Sequence, residues 1–357
     1  MYIKKLEVKN FRNHANTKLE FSKGVNILVG DNAQGKTNLL EAIYLTCVGR
    51  GWRTRKDKEM INFAAEHATV KTATAKNFGD INVEVNIPKQ NKKTIKINNI
   101  PIQKMGELMG QVNCVFFSPD ELRLIKEAPS DRRRFLDIDI SQIDKTYFYS
   151  LLRYHKILAQ RNALLKSGSN DDISSGLEIW DKELAKAGAY IIKKRIEFLE
   201  LLKPITERIH SALASNKESI ELTYEKSIES IDENSFLKAL EKSKNNDLRL
   251  RTTTVGPHRD DIYISINTKD VRHFASQGQQ RTVALSLKLA ELELFKELTG
   301  ETPILLLDDV LSELDDNRQA KLLEAIKNCQ SIITATSLPK DFIDIKIFNI
   351  HNGELTK

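Results

Sequence analysis

Gly30-Asp31-Asn32-Ala33-Gln34-Gly35-Lys36-Thr37 decides the reading of this chain. The segment fits the pattern G-x-x-x-x-G-K-S/T, which chance alone places in roughly one chain of this length in a hundred. It follows Val25-Asn26-Ile27-Leu28-Val29, an apolar run that reads as a buried central strand. It precedes Lys36 to Val48, where Leu39, Leu40 and Ile43 recur at helical spacing. Strand, glycine turn and helix are what a phosphate cradle needs, because glycines let the backbone wrap closely and helix N-terminal N–H groups face anionic oxygens. Lys36 can reach the β- and γ-phosphates of a nucleotide, and the Thr37 hydroxyl can hold Mg²⁺. A plain glycine turn is the alternative, and the strand before and helix after favour the nucleotide site.

The composition around this segment is ordinary for a globular protein: 357 residues, 40% hydrophobic and 29% charged, enough for two or three domains. No apolar run approaches the roughly 18 residues of a membrane span, and Lys4, Lys5 and Glu7 stand where a signal peptide would be apolar. A cytoplasmic protein without a membrane partner is expected. Cys47, Cys114 and Cys329 lie far apart without a C-x-x-C pair, which suggests neither a disulfide framework nor a zinc site. The net charge of +6 is compatible with a polyanionic partner and does not establish one.

Strand-like alternation opens the chain at Leu6 and Val8 and at Leu19 and Phe21, and returns at Ile81 to Ile87, Thr94 to Ile97 and Val112 to Phe117. From about Leu122 to Lys244 the texture becomes charged and helical. A seam through Leu184, Ile191, Phe198 and Ile205, flanked by Ala187 and Leu201, faces a second through Leu151, Tyr154, Leu158 and Leu165. The polar loop Ser167 to Asp172 reverses the chain between them, which predicts an antiparallel pair of helices, each about 30 residues or 45 Å long. Strands return at Ile262 to Ile266, a helix is predicted from about Gln279 to Leu298, and Pro303 to Ala335 reads as a βαβ unit. The predicted fold is α/β: residues 1–121 with 248–357 form one domain, and 122–247 a mainly helical insertion.

Two further segments carry chemistry. Ile304-Leu305-Leu306-Leu307-Asp308-Asp309 is a buried strand ending in two carboxylates, so Asp308 can approach the Mg²⁺ that Thr37 holds and Asp309 can orient or deprotonate a water. Ser276-Gln277-Gly278-Gln279-Gln280-Arg281 precedes a helix about 30 residues upstream, where the hydroxyl and the glycine backbone offer a second, weaker cradle. One chain does not need two cradles for one triphosphate.

Gly30 to Thr37, Ser276 to Arg281, Asp308 with Asp309, and Ser312-Glu313-Leu314-Asp315 have the order and spacing of an ABC-type P-loop ATPase head. Lys9 to Asn13, Gly49 to Thr54, Phe117 to Asp120, Asp131 to Asp137 and Gly256 to Asp261 resemble, more narrowly and over essentially the whole chain, the RecF family of bacterial recombination ATPases, relatives of Rad50 and SMC proteins. The resemblance implies a head built from both chain ends that binds ATP and Mg²⁺ through Gly30, Asp31, Asn32, Ala33, Gln34, Gly35, Lys36 and Thr37. Thr37 and Asp308 would hold the metal, and Lys36, Asp308 and Asp309 would be catalytic. Ser276, Gly278 and Gln279 would contact the nucleotide of a second copy, so that ATP joins a homodimer. It further implies weak, DNA-stimulated ATPase activity, binding to double-stranded and gapped DNA, cooperation with RecR and RecO in loading RecA, and roles in DNA replication, repair and the SOS response. Two departures from the wider pattern, Asp309 where many ABC ATPases have Glu and Thr336 near the place of a His, imply slow turnover.

For DNA, Arg50, Arg53, Arg55 and Lys56 surround Trp52, a pattern that suits phosphate contact with stacking, a solvated basic loop, or arginines that serve the nucleotide. Asp131-Arg132-Arg133-Arg134 reads as a DNA or interdomain contact, a solvated helix face, or internal ion pairs. His258 beside Asp260 and Asp261 reads as a strand-entry turn more readily than as a metal site. A monomeric small-molecule kinase and a transporter ATPase subunit are the rival functions.

Overall fold

Alternating apolar residues place Ile3, Leu6, Val8 and Leu19 in the core of a first sheet. The computed structural model describes residues 1–54, 56–119, 123–167, 170–337 and 345–356. In chain order the first elements are β1 (Tyr2–Phe11), β2 (His14–Glu20), β3 (Val25–Val29), α1 (Lys36–Val48), β4 (His67–Lys76), β5 (Gly79–Pro88), β6 (Thr94–Ile97), β7 (Ile100–Pro101) and β8 (Cys114–Phe117). Then follow α2 (Arg123–Lys126), α3 (Pro129–Ile143), α4 (Lys145–Lys166), α5 (Asn170–Leu213), β9 (Ile220–Glu225), α6 (Glu233–Leu250), β10 (Asp261–Ile266), β11 (Lys269–Asp270) and α7 (Val271–Phe274). The chain closes with α8 (Gln277–Thr299), β12 (Ile304–Asp308), α9 (Asp316–Ala325), β13 (Ser331–Ala335), β14 (Ile345–His351) and β15 (Glu354–Thr356).

Contacts divide the chain into one unit of residues 1–122 with 284–357 and another of 123–283. The first unit holds an antiparallel sheet of order β2-β1-β4-β5-β6-β7 and a second of order β15-β14-β3-β13-β12-β8. In the second sheet β14, β3, β13, β12 and β8 run parallel. Helix α1 touches strands of both sheets, and Leu39 to Val48 are almost all buried, which is why its sequence is apolar on every side. All three cysteines are free and buried.

The second unit is built on α4 and α5. Helix α5 has 44 residues, about 66 Å at 1.5 Å per residue, longer than the 30 expected because one unbroken helix carries Pro204 within it. The expected seam is buried at Leu184, Ile191, Phe198 and Ile205, but Leu201 is exposed. On α4 the buried positions are Tyr147, Tyr154, Ile157, Arg161 and Leu165, a heptad seam through Tyr147, Tyr154 and Arg161, whereas the expected Leu151 and Leu158 are half-buried. Contacts also group 248–283 with this unit, because β10 pairs antiparallel with β9 from Asp261 opposite Glu225 to Ile266 opposite Ile220. Strands β4, β9, β14 and β15 were not expected from the sequence; His67 to Lys76 alternates mostly through Thr and Ala rather than large apolar residues, and Ile220 to Glu225 is a short alternation of only Ile220, Leu222 and Tyr224.

The unit's charged motifs turn inward. Arg132 donates from Nε and Nη2 to the two oxygens of Asp261 at 2.6 and 2.9 Å, and Arg133 donates to the Asp260 carbonyl at 2.8 Å. Of the readings for Asp131 to Arg134, internal ion pairing holds for Arg132. Around His258, Tyr154 Oη lies 2.6 Å from Nδ1 and the Thr253 carbonyl 3.1 Å from Nε2, so a neutral ring donates from Nε2 and accepts at Nδ1. Among the described residues no group of three His, Cys, Asp or Glu could hold a metal ion.

Burial, reinforced by Arg259 and Arg133, lowers His258 from 6.5 to about 4. The unfolded chain then binds this proton more readily than the fold, so its contribution is complete above about pH 6.5 and is lost as the pH falls toward 4, by up to about 3 kcal/mol. Trp52→Phe leaves Trp180 as the sole tryptophan and reporter of this unit. Urea titrations followed at Trp180 should show that acid destabilisation shrinks in His258→Gln; an unchanged pH dependence would contradict the assignment.

Candidate nucleotide site

Residues 30–37 leave the carboxyl end of β3 and turn into α1. Gly35 caps the helix with φ 108° and Ala33 adopts φ 64°, both in the left-handed region. A Cβ on Gly35 would lie 2.6 Å from the Asn13 amide and 2.8 Å from His14 Nε2, and one on Gly30 would lie 2.3 Å from the Ile350 carbonyl oxygen. Space therefore demands both glycines. No side chain caps α1 and its first turn holds no acid, so its N-terminal N–H groups and dipole suit an anion. The Lys36 ammonium donates to the carbonyls of Gly30 and, at 2.7 Å, of Asp31. Burial pulls Lys36 below the ordinary lysine range, and Asp309, Asp308 and Asp31 oppose this.

Parallel pairing aligns the chemistry. Asp308 stands opposite Thr334, and Thr334 opposite Leu28, so β12, β13 and β3 end at one edge. There Thr37 Oγ1 donates to Asp308 Oδ1 at 2.7 Å, and Thr334 Oγ1 donates to the same oxygen at 2.9 Å. Burial raises Asp308, while the two hydroxyl hydrogen bonds and Arg53 oppose the rise. The Asp309 N–H donates to Thr334 Oγ1 at 2.8 Å, and Asp309 itself adopts φ 52°. A non-glycine residue held in that region stores about 1–3 kcal/mol, a feature that concentrates at functional sites. One hydroxyl and one carboxylate oxygen in contact are hard ligands of the kind Mg²⁺ takes, so the donor set at Thr37 and Asp308 fits that ion.

The basic segment divides. Arg53 Nη1 donates to Asn38 Oδ1 at 2.9 Å and its backbone N–H reaches Glu41 Oε1 at 3.3 Å. Glu41, fully buried, also accepts from Arg12 Nε at 3.0 Å and Nη2 at 2.9 Å. Arg12 and Arg53 are thus tied to the helix that follows the phosphate loop. Trp52 stacks on Phe116 with ring centroids 4.0 Å apart and meets Tyr44 edge-on at 5.3 Å. Its ring is thus engaged in aromatic packing within the unit. Arg50 and Lys56 are exposed; Arg55 lies outside the described residues.

At the start of α8, Ser276 and Gln279 cap each other: the Ser276 N–H donates to Gln279 Oε1 at 2.8 Å and the Gln279 N–H to Ser276 Oγ at 3.3 Å. Gln279 Nε2 also donates to Glu218 at 3.0 Å, and Gln280 Nε2 to the Val271 carbonyl at 3.1 Å. Ser276 and Gln277 stay exposed on this capped turn, beside a partly exposed Gly278.

The profile of the RecF/RecN/SMC N-terminal domain family matches residues 2–343. The DNA replication and repair protein RecF of Clostridium novyi is 44% identical over 364 residues, covering 100% of both chains. The chain belongs to the RecF family. A solved structure of the recombination mediator protein RecF with ATP, in the RecFOR pathway, covers 99% of this chain and 97% of that one at 42% identity and a TM-score of 0.92. An Smc head bound to the C-winged helix domain of ScpA covers 99% and 96%, at 18% identity and a TM-score of 0.58, a likeness of fold alone. The fold is that of an ABC-type P-loop ATPase head formed from both chain ends, with a mainly helical insertion, as expected.

Within this RecF-family site, sequence reading missed Thr334 as the partner of Asp308; Thr336, noted near the place of a His, is exposed beyond β13. It also missed Glu41, although a lone acid inside the apolar helix Leu39 to Leu45 signals a buried charge in need of a cation. Thr334→Val keeps the shape and removes both hydroxyl bonds. It should cost about 1–2 kcal/mol of stability and raise several-fold the Mg²⁺ concentration needed for half-maximal nucleotide binding. An unchanged Mg²⁺ requirement would show that Asp308 does not depend on Thr334.

Proposed function

We propose that this chain is an ATP-dependent DNA-binding protein of recombinational repair, with weak, DNA-stimulated ATPase activity, that dimerises on duplex DNA near single-strand gaps. The observation that carries the reading is the 2.7 Å contact of Thr37 Oγ1 with Asp308 Oδ1 at the uncapped N-terminus of α1. The backbone of Gly30 to Thr37 holds the phosphates, and Lys36 exchanges its carbonyl partners for the β- and γ-phosphate oxygens. Thr37 and Asp308 would hold Mg²⁺, which would offset the charge of the phosphates. Asp309 orients the attacking water. Its carboxylate is one carbon shorter than a glutamate's, which supports slow turnover.

Ser276, Gly278 and Gln279, on an exposed, pre-ordered turn, bind the γ-phosphate held by a second copy, so that ATP joins the dimer. The net charge of +6 with the exposed Arg50 and Lys56 supports phosphate contacts without base recognition, and affinity that falls steeply with salt. Arg53 serves the nucleotide side of the same loop. The RecFOR pathway named for the solved relative supports RecR and RecO as partners, and the DNA replication and repair named for the Clostridium relative supports a role there; loading of RecA and a part in the SOS response belong to the same proposal.

Lys36→Met and Ser276→Arg should each abolish ATP-dependent dimerisation. A mixture of the two should restore a dimer with one intact composite site, measured by sedimentation; no restoration would contradict binding in trans. Asp309→Asn should retain ATP binding and prolong the ATP-bound dimer at least about tenfold, read from its dissociation rate. Normal turnover in that variant would remove Asp309 from its role.

A further inference from the structure

His14 opens β2 and is fully buried at a joint of three segments. Its Nε2 lies 3.0 Å from the carbonyl oxygen of Gly35, the residue that ends the phosphate loop. Its Nδ1 lies 2.7 Å from the carbonyl oxygen of Gly353, in the turn between β14 and β15, and 3.0 Å from Thr17 Oγ1. Thr17 Oγ1 itself donates to the Gly353 carbonyl at 3.0 Å. A carbonyl oxygen only accepts. A neutral imidazole has a single N–H, so it satisfies one of these carbonyls and presents a lone pair to the other, whereas an imidazolium satisfies both.

Both carbonyls bear on the loop. Gly35 O accepts from the N–H groups of Asn38 at 2.9 Å and Leu39 at 3.2 Å, so its position sets the first turn of α1. On the other side the Gly353 N–H donates to Gln34 O at 3.0 Å, the Asn352 N–H to Gln34 Oε1 at 2.5 Å, and Asn13 Nδ2 to Gln34 O at 3.1 Å. A shift of the ring therefore moves Gln34 and Gly35 together.

The ring's partners are uncharged, and charged groups on the surrounding segments are engaged or exposed elsewhere. Lys36 donates to Gly30 and Asp31, Arg12 pairs with Glu41, and Lys18 lies 3.9 Å from Glu7. Asp31, Glu20, His351 and Glu354 are exposed. Burial holds the His14 ring below the ordinary histidine range, against the pull of the two carbonyls. The ring is thus neutral near pH 7, with one carbonyl opposed, and negative charge entering the loop would favour its second proton.

We propose that His14 is a positioning residue for the nucleotide: it takes up a proton as phosphate enters the loop, and the two-donor imidazolium then fixes the Gly35 and Gly353 carbonyls together. The inference rests on reading Gly30 to Thr37 as the nucleotide site. The proton comes from solvent, and no other bond is made or broken.

Titration calorimetry of the full chain with Mg²⁺ and ATP, at about pH 7.5 in two buffers of different ionisation enthalpy, measures proton uptake directly. The native chain should take up part of a proton that His14→Gln, which cannot titrate, does not. The ratio of native to variant affinity, in which ATP's own protonation cancels, should rise about tenfold from about pH 8 to about pH 6. His14→Tyr, a ring with a single hydroxyl donor, should behave like His14→Gln. Should neither variant fold, the histidine Cε1 resonances of the native protein decide: one of the seven histidines should move toward its imidazolium shift when ATP is added. Equal proton uptake in native and variant, a pH-independent ratio, or no moving resonance would overturn the proposal. Absence of ATP binding by the native chain at any of these pH values would overturn the nucleotide reading beneath it.

Discussion

One hydrogen bond, from Thr37 Oγ1 to Asp308 Oδ1, joins residues 271 positions apart, and the first unit is arranged so that it can form. It requires β3 and β12 to run parallel with one strand, β13, between them, and all three to end in step. A parallel order of this kind needs crossovers long enough to cover a face of the sheet, which explains why both ends of the chain contribute to it. The open edge beyond the strands is then the natural place for a ligand. Thr334, on the intervening strand, has a hydroxyl that reaches both Asp308 Oδ1 and the Asp309 N–H.

Around this edge the protein buries charge with its partner in place. Glu41 with Arg12 fixes the β1–β2 turn to α1, and the same carboxylate holds the backbone of Arg53. In the other unit Arg132, Arg161 and Arg195 are all fully buried. Arg195 donates to Asp137 at 2.8 Å, to the Tyr147 hydroxyl at 3.0 Å and to the Pro257 carbonyl at 2.6 Å, joining α3, α4, α5 and the turn before β10. Such pairs contribute little net stability over apolar packing, but a lone survivor is costly, so they penalise every arrangement except the paired one. Arg132, Asp137, Asp260 and Asp261, from the segments 131–137 and 256–261, belong to this internal framework.

Much of this was legible in the sequence, and the limits are physical. The glycine turn of Gly30 to Thr37 and the approach of Asp308 to Thr37 were legible because their chemistry constrains residue type locally, by steric need at the glycines and by position at an element's end. The helical seam was found by periodicity, but Leu201 was misplaced because the buried stripe continues at Leu202, four residues after Phe198, rather than at the three-residue step. Thr334 and Glu41 were missed because their roles depend on strand order and on a partner far away in the chain. The packing of Trp52 was not legible for the same reason, since only the fold brings Phe116 and Tyr44 against its ring.

The measurement that bears most directly on the whole account is sedimentation velocity of the protein with labelled duplex DNA, with and without ATP and Mg²⁺, at low and high salt. The account predicts a DNA-bound dimer that forms only with ATP and dissociates as salt is raised. A monomer indifferent to both ATP and DNA would contradict it, leaving the phosphate loop in place and its proposed purpose without support.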